Sequence, residues 1–123
     1  MYKVTVLDEF NSAHFLRAYK GKCERLHGHN WKVLVSVWSE RLNSTGMVID
    51  FKDLKKLLAG VLKELDHRCL NELNCFKKVN PTSENIAAYV YDRIKAGLKS
   101  KKYKRLSVDI WETDSSRASF TEE

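Results

Sequence analysis

The chain has 123 residues, 43% of them hydrophobic, with 22 Lys and Arg against 16 Asp and Glu for a formal net charge of +6. That length supports one modest core, no linker-like or low-complexity break divides it, and the expected organisation is a single domain over residues 1–123. No stretch reaches the roughly 18 consecutive apolar residues of a membrane span, Asp8 and Glu9 interrupt any leader-like run after Met1, and Cys23, Cys69 and Cys75 form neither an even set nor a Cys-x-x-Cys pair, so the expectation is a cytoplasmic protein with reduced thiols and no membrane contact.

A strand is expected from Tyr2, ending near Phe10-Asn11-Ser12-Ala13-His14. Farther on, Cys23-Glu24-Arg25-Leu26-His27-Gly28-His29 runs into Trp31–Trp38, a stretch rich in β-branched and aromatic residues that reads as a second strand. Successive side chains of an extended chain point to opposite faces, so His27 and His29 project to one side. If a hairpin sets the first strand beside the second, His14 supplies a third imidazole. Three neutral nitrogen ligands without a fourth protein ligand describe a catalytic zinc site, its open position kept for water or substrate. His-x-His alone is a weak motif; Cys23 upstream and an Asp-His pair downstream strengthen it.

Phe51, Leu54, Leu57, Leu58, Val61, Leu62 and Leu65 mark one buried helix face, with Asp50 placed to cap it. Asp66-His67 stands where that helix runs out. A carboxylate beside an imidazole raises its basicity and fixes its orientation, as a proton-transferring His requires; a surface acid and a loop His are the bland alternative. Cys69 and Cys75, around Leu70 and Leu73, read as small apolar packing residues. Pro81-Thr82 opens a second helix with Ile86, Val90 and Ile94 on one face, and Gly97 is placed to help end it. Lys52, Lys55, Lys56 and Lys63 on the first helix, and Lys99, Lys101, Lys102, Lys104 and Arg105 before the next strand, read as solvated surface. Leu106, Val108 and Ile110 alternate with Ser107, Asp109 and Trp111 in a half-buried strand that leads to Glu112, and Phe120 falls in a short strand from about Ser116. The order is ββααββ, an α+β unit whose exposed sheet edges favour assembly.

Taken in order, Phe10-x-x-Ala13-His14, Cys23-x-x-x-His27-Gly28-His29-Asn30, Gly46-Met47-Val48-Ile49-Asp50-Phe51, Leu65-Asp66-His67-Arg68, Pro81-Thr82-x-Glu84-Asn85 and Trp111-Glu112-Thr113 cover nearly the whole chain. The set resembles the 6-pyruvoyl-tetrahydropterin synthase and 6-carboxytetrahydropterin synthase family. Three residues between Cys23 and His27 look like the bacterial 6-carboxytetrahydropterin synthases. The resemblance implies a tunnelling fold, with a four-stranded antiparallel sheet and two helices on one face. It also implies a barrel-like homo-oligomer, a hexamer of two trimers with active sites between subunits. It assigns Zn²⁺ to His14, His27 and His29, catalysis to Cys23, Asp66 and His67, and substrate binding to Glu112 with Thr113. Glu112 would accept paired hydrogen bonds from the ring N–H and exocyclic amine of a pterin.

The reaction implied is conversion of 7,8-dihydroneopterin triphosphate to 6-carboxy-5,6,7,8-tetrahydropterin, acetaldehyde and triphosphate, on a route to 7-deazapurines such as queuosine. Lys20, Lys22 and Arg25 are the basic residues nearest Cys23 for the triphosphate. One subfamily replaces the catalytic cysteine with glutamate; Glu24 adjoins Cys23 here, and the cysteine is present. The sequence departs from relatives at Asn11-Ser12, Asp114 and Arg117, beside the motifs. Two rivals follow: the same site making 6-pyruvoyl-tetrahydropterin, and a basic zinc-stabilised module binding RNA. The second would want exposed aromatics among its basic residues, whereas the three Trp fall in strands and no nucleic-acid partner is expected.

Overall fold

The computed structural model describes residues 1–122, so Glu123, the last residue of the expected unit, lies outside it. Strands β1 (Tyr2–His14) and β2 (His27–Ser39) precede helices α1 (Phe51–Lys63) and α2 (Ser83–Gly97), and β3 (Arg105–Thr113) and β4 (Ser116–Thr121) follow. The strands form one antiparallel sheet in sequence order, β1-β2-β3-β4. This is the ββααββ order read from the sequence, with two single 3₁₀ turns, Leu70–Glu72 and Asn74–Phe76, added between the helices.

The strand period of two sorts the sheet into faces. Val6, Phe10, Trp31, Val33, Val35, Val37, Leu106, Val108 and Ile110 are buried beneath the helices. The intervening residues form the other face, which mixes polar side chains, Lys3, Thr5, Glu9, Lys32, Arg105 and Asp109, with Leu7, Leu34, Trp38 and Trp111. Register fixes which of these meet: Val6 pairs with Val35, Phe10 with Trp31, and His14 with His27. Leu54, Leu58, Val61 and Leu62 carry the buried face of α1, which lies on β1, while Ile86, Ala87, Val90, Tyr91 and Ile94 seat α2 on β3 and β4.

Both caps act as the sequence predicts. The Asp50 carboxylate accepts from the Lys52 N–H at 2.8 Å and the Thr82 hydroxyl from the Asn85 N–H at 3.1 Å, each satisfying a backbone donor left over by the first helical turn. Two expectations change. Phe51 lies one turn ahead of Leu54, the first buried residue of its stripe, and is 54% exposed. Gly97 does end α2, but without the left-handed backbone of a glycine stop; its missing side chain leaves room for the Leu57 side chain, letting the helices approach closely.

The edge strands are not equally open. Residues 66–69 run along the outer edge of β1 and cover its C-terminal end: the Ala13 N–H donates to the Arg68 carbonyl at 2.9 Å, and Ala13 bridges to Cys69. The remaining edge of β1 and that of β4 are unpaired among the described residues, which leaves them available for pairing with another chain. No described helix is long and apolar enough to cross a membrane.

Trp31 is the largest fully buried side chain. It stacks on Phe10 with ring centroids 5.9 Å apart, donates from Nε1 to the Ser12 carbonyl at 3.2 Å, and presents its ring to His14 and His29. Trp31→Ala is therefore expected to cost about 3–5 kcal/mol of stability, as large core aromatic deletions do. The urea midpoint measures it; an unshifted midpoint would mean that this core collapses without strain.

Candidate metal centre

The sheet brings three imidazoles together at one end. His14 and His27 are cross-strand partners, and His29 sits opposite Ser12, two residues along β2 on the same face. That face is the core face, so the imidazoles continue the hydrophobic layer beyond Trp31 instead of pointing to solvent. Centroid separations are 4.7 Å for His14–His27, 5.2 Å for His14–His29 and 4.8 Å for His27–His29. Lys32 of β2 pairs with Trp111 of β3, which carries Glu112 to the same end. One side-chain donor atom from each of His14, His27, His29 and Glu112 lies within 4.8 Å of the others.

Hydrogen bonding sets which nitrogens face inward. His14 Nδ1 donates to the Pro81 carbonyl at 2.7 Å, and His27 Nδ1 to the Arg25 carbonyl at 2.8 Å. A carbonyl can only accept, so both rings carry their proton on Nδ1 and, when neutral, turn bare Nε2 lone pairs toward each other at 3.1 Å. Two facing lone pairs repel. Imidazole nitrogens held tetrahedrally at about 2.0–2.1 Å from one zinc ion stand about 3.3 Å apart, so this contact has the spacing of two ligands of one cation. Backbone carbonyls behind ligand rings are also the usual means of orienting metal-binding histidines.

His29 Nε2 is buried without a hydrogen-bond partner, although Glu112 Oε1 lies 3.3 Å away. A buried unpaired polar atom costs free energy unless something satisfies it; a metal ion would. Burial pushes the His29 imidazole below its ordinary pKa, against the opposing pull of the Glu112 carboxylate, while the charges of His14 and His27 add to the lowering. The shift favours the neutral ring, the form in which it can ligate. The residues fit a metal ion, with three nitrogens in place and a carboxylate at hand.

The other residues singled out in the sequence lie around this cluster in different ways. Glu112 is half-buried and accepts a long hydrogen bond from Ser83 Oγ at 3.4 Å. Beside it is a small recess of about 230 Å³ lined in part by Ser83, Thr113, Ser116 and Arg117. Thr113 is exposed at the β3–β4 turn. The much larger groove of about 1640 Å³ lies between residues 39–50 and 96–104, at the opposite end of β2 from the imidazoles, and holds none of these residues.

Asp66 Oδ2 lies 2.9 Å from His67 Nδ1 on the outer edge of β1. The Asn11 N–H donates to Asp66 Oδ1 at 2.9 Å, and the His67 N–H donates to the Asn11 carbonyl. That backbone N–H, with His67 assisting, holds the Asp66 carboxyl below its usual value. His67 adopts φ +55°, a left-handed conformation rare for a residue with a side chain, and its ring is exposed. No hydrogen bond among the described residues joins this pair to the three imidazoles.

Cys23 is exposed on the loop between β1 and β2 and takes no part in the loop's hydrogen bonds. Lys20, Lys22 and Arg25 are exposed on the same loop. The residue that the sequence reading did not place is Glu24. From Ala18 to Leu26 it alone is half-buried, the others being exposed, and its Oε1 lies 3.8 Å from His27 Nδ1. Its spacing of three before His27 was the available signal, overshadowed by the cysteine beside it.

Residues 3–123 match the family model described as 6-pyruvoyl tetrahydropterin synthase. The chain is 43% identical over 104 residues to the dihydroneopterin monophosphate aldolase of Pyrococcus furiosus, spanning 84% of this chain and 82% of the relative. It is 40% identical over 117 residues to the 6-carboxy-5,6,7,8-tetrahydropterin synthase of Synechocystis, spanning 90% and 86%. The solved structure of Caenorhabditis elegans 6-pyruvoyl tetrahydropterin synthase superposes with a TM-score of 0.85 at 29% identity, over 99% of this chain and 96% of that one. With its sheet, its two helices on one face and its ordered motifs, the chain is a tunnelling-fold member of the 6-pyruvoyl tetrahydropterin synthase family.

Proposed function

We propose that this chain is a zinc-dependent 6-carboxy-5,6,7,8-tetrahydropterin synthase of the queuosine route, a single unit over residues 1–123 that acts in the cytoplasm as a homohexamer on 7,8-dihydroneopterin triphosphate. The observation that carries the proposal is the convergence of the bare His14 and His27 Nε2 atoms with the unsatisfied His29 Nε2. The three-residue spacing from Cys23 to His27 and the Synechocystis relative favour the carboxy product over the pyruvoyl one.

In this reading His14, His27 and His29 hold the ion. The chemistry zinc supplies when bound is polarisation of the substrate's side-chain hydroxyls, which makes the neighbouring carbon-bound protons easier to remove. Cys23, as thiolate, takes such a proton. His67, oriented by Asp66, returns protons while triphosphate departs, and the cleavage that frees acetaldehyde and leaves the carboxyl group takes up one water. Glu112 anchors the pterin by paired hydrogen bonds, with the recess beside it and Thr113 receiving the ring system. The exposed His67, fixed to the edge of β1 at the expense of a strained backbone, supports a site completed between subunits.

A second reading rests on Glu24. Its carboxylate sits beside His27, and the Pyrococcus relative is named an aldolase. A carboxylate base there suits retro-aldol cleavage of the C1′–C2′ bond of a dihydroneopterin phosphate: the C2′ hydroxyl loses its proton, C1′ gains one, and glycolaldehyde phosphate leaves. Incubating the zinc-loaded protein with dihydroneopterin triphosphate and, separately, monophosphate decides among the readings. Acetaldehyde is expected from the triphosphate. Glycolaldehyde phosphate from the monophosphate would establish the aldolase, and triphosphate release without any aldehyde would favour the pyruvoyl product.

A further inference from the structure

The loop between β1 and β2 carries Cys23 and Glu24, yet most of it is exposed and it has little apolar contact to hold it. Three consecutive peptides at its start are nonetheless fully bonded, on alternate sides. Asn71 pairs with Phe15 as a strand would: the Phe15 N–H donates to Asn71 Oδ1 at 3.0 Å, and Asn71 Nδ2 donates to the Phe15 carbonyl at 2.9 Å. Asn80 repeats this with Arg17: the Arg17 N–H donates to Asn80 Oδ1 at 2.8 Å, and Asn80 Nδ2 donates to the Arg17 carbonyl at 3.1 Å. Between them Leu16 faces the other way and bonds Glu24 twice. Its N–H donates to Glu24 Oε1 at 3.2 Å, and its carbonyl accepts from the Glu24 N–H at 2.9 Å.

A side-chain amide offers the donor and acceptor of a peptide group, so each Asn replaces a missing strand neighbour. The Arg17 guanidinium adds two bonds to the same frame, to the Val79 and Asn71 carbonyls at 3.2 and 3.1 Å. Asn80 precedes Pro81, whose carbonyl orients His14. One short segment therefore fixes both an imidazole of the cluster and the loop beside it.

We infer that Asn71 and Asn80 are positioning residues: their amides seat residues 15–17, of which Leu16 in turn holds Glu24, the neighbour of Cys23, with its carboxylate beside His27. The inference rests on the reading that this loop carries the acid–base groups of the site. Without the clamp the loop keeps its residues but not their placement, and a misplacement on the order of 1 Å costs about 10²-fold in rate.

Asn80→Ala in the full-length, zinc-loaded protein tests this. The backbone at Asn80 keeps its own bonds, since its carbonyl accepts from Asn85 Nδ2 at 2.8 Å and from the Thr82 N–H at 2.9 Å, so Pro81 and His14 stay in place. Expected are wild-type zinc content and thermal midpoint, KM nearly unchanged, kcat about 10²-fold lower, and faster tryptic cleavage after Lys20, Lys22 and Arg25. Asn80→Asp keeps the acceptor for the Arg17 N–H and should recover part of kcat. Asn71 is buried; if Asn71→Ala fails to fold, Asn80 alone decides. Wild-type kcat and trypsin resistance in Asn80→Ala would overturn the inference, as would a kcat loss that merely tracks lost zinc. If the parent chain turns over neither phosphate ester, the functional reading has failed, and trypsin resistance alone judges the clamp.

Discussion

His14→Ala, His27→Ala and His29→Ala are each expected to lose most of their zinc and all measurable turnover. The three Nε2 atoms share one focus, and two remaining nitrogens hold an ion poorly. Substituting a group that only hydrogen-bonds a metal ligand already costs about 10–100-fold in affinity or activity, so removing a ligand itself should exceed that. The fold should survive, because the imidazoles lie at one end of a sheet whose core of Phe10, Trp31, Val33, Val35, Ile110 and the two helices is complete without them. Metal analysis, turnover and circular dichroism of the three variants measure this together. Full zinc occupancy in all three would refute the triad. Chelation provides the parallel test: a folded protein without turnover fits a catalytic site, whereas unfolding on zinc removal would favour a metal-stapled binding module.

Cys23→Ala and Glu112→Ala should fail in different ways, because one residue is asked to move a proton and the other to hold the ring. Cys23 is exposed and supports nothing in the fold, so its loss should leave zinc and pterin affinity nearly intact and slow the chemical step by roughly 10²–10⁴-fold, the range for a lost general base. Glu112 is half-buried beside His29, with a recess at its side. Truncating one partner of a buried charge-assisted pair costs on the order of 2–5 kcal/mol, so Glu112→Ala should chiefly weaken binding of a pterin product analogue. Single-turnover rates and analogue affinities for both variants decide the assignment. A Cys23→Ala protein that loses affinity while keeping its rate would move the base elsewhere, with Glu24 the nearest candidate. Glu24→Gln alongside these variants separates the two: loss of acetaldehyde formation in Cys23→Ala alone fits the synthase, and loss of aldehyde release in Glu24→Gln alone fits the aldolase.

Local periodicity made much of this molecule legible from its sequence alone. A period of two is a property of any extended chain, so the common face of His27 and His29 needed no knowledge of the fold. Helix faces and caps are equally local, and Leu54, Leu58, Ile86, Val90, Asp50 and Thr82 act where the spacing put them. What joins distant segments was not legible in this way. The pairing of His14 with His27 depends on hairpin register, where a slip of one residue would have turned His14 to the opposite face. The arrival of Glu112 at the cluster depends on how β2 pairs with β3. Asn71, Asn80 and Glu24 carry no periodic signal; their roles come from bonds spanning 56 and 63 residues of chain for the two amides, and from a loop that folds back on Leu16 for the carboxylate. The Asp66-His67 pair was visible as a dipeptide, but only the packing of residues 66–69 along β1 decided that it faces outward from the sheet edge and is not bonded to the imidazoles of its own chain. The division has one physical reason: side-chain direction along a strand or helix is set by backbone geometry within a few residues, while the company each side chain keeps is set by which segments pack together.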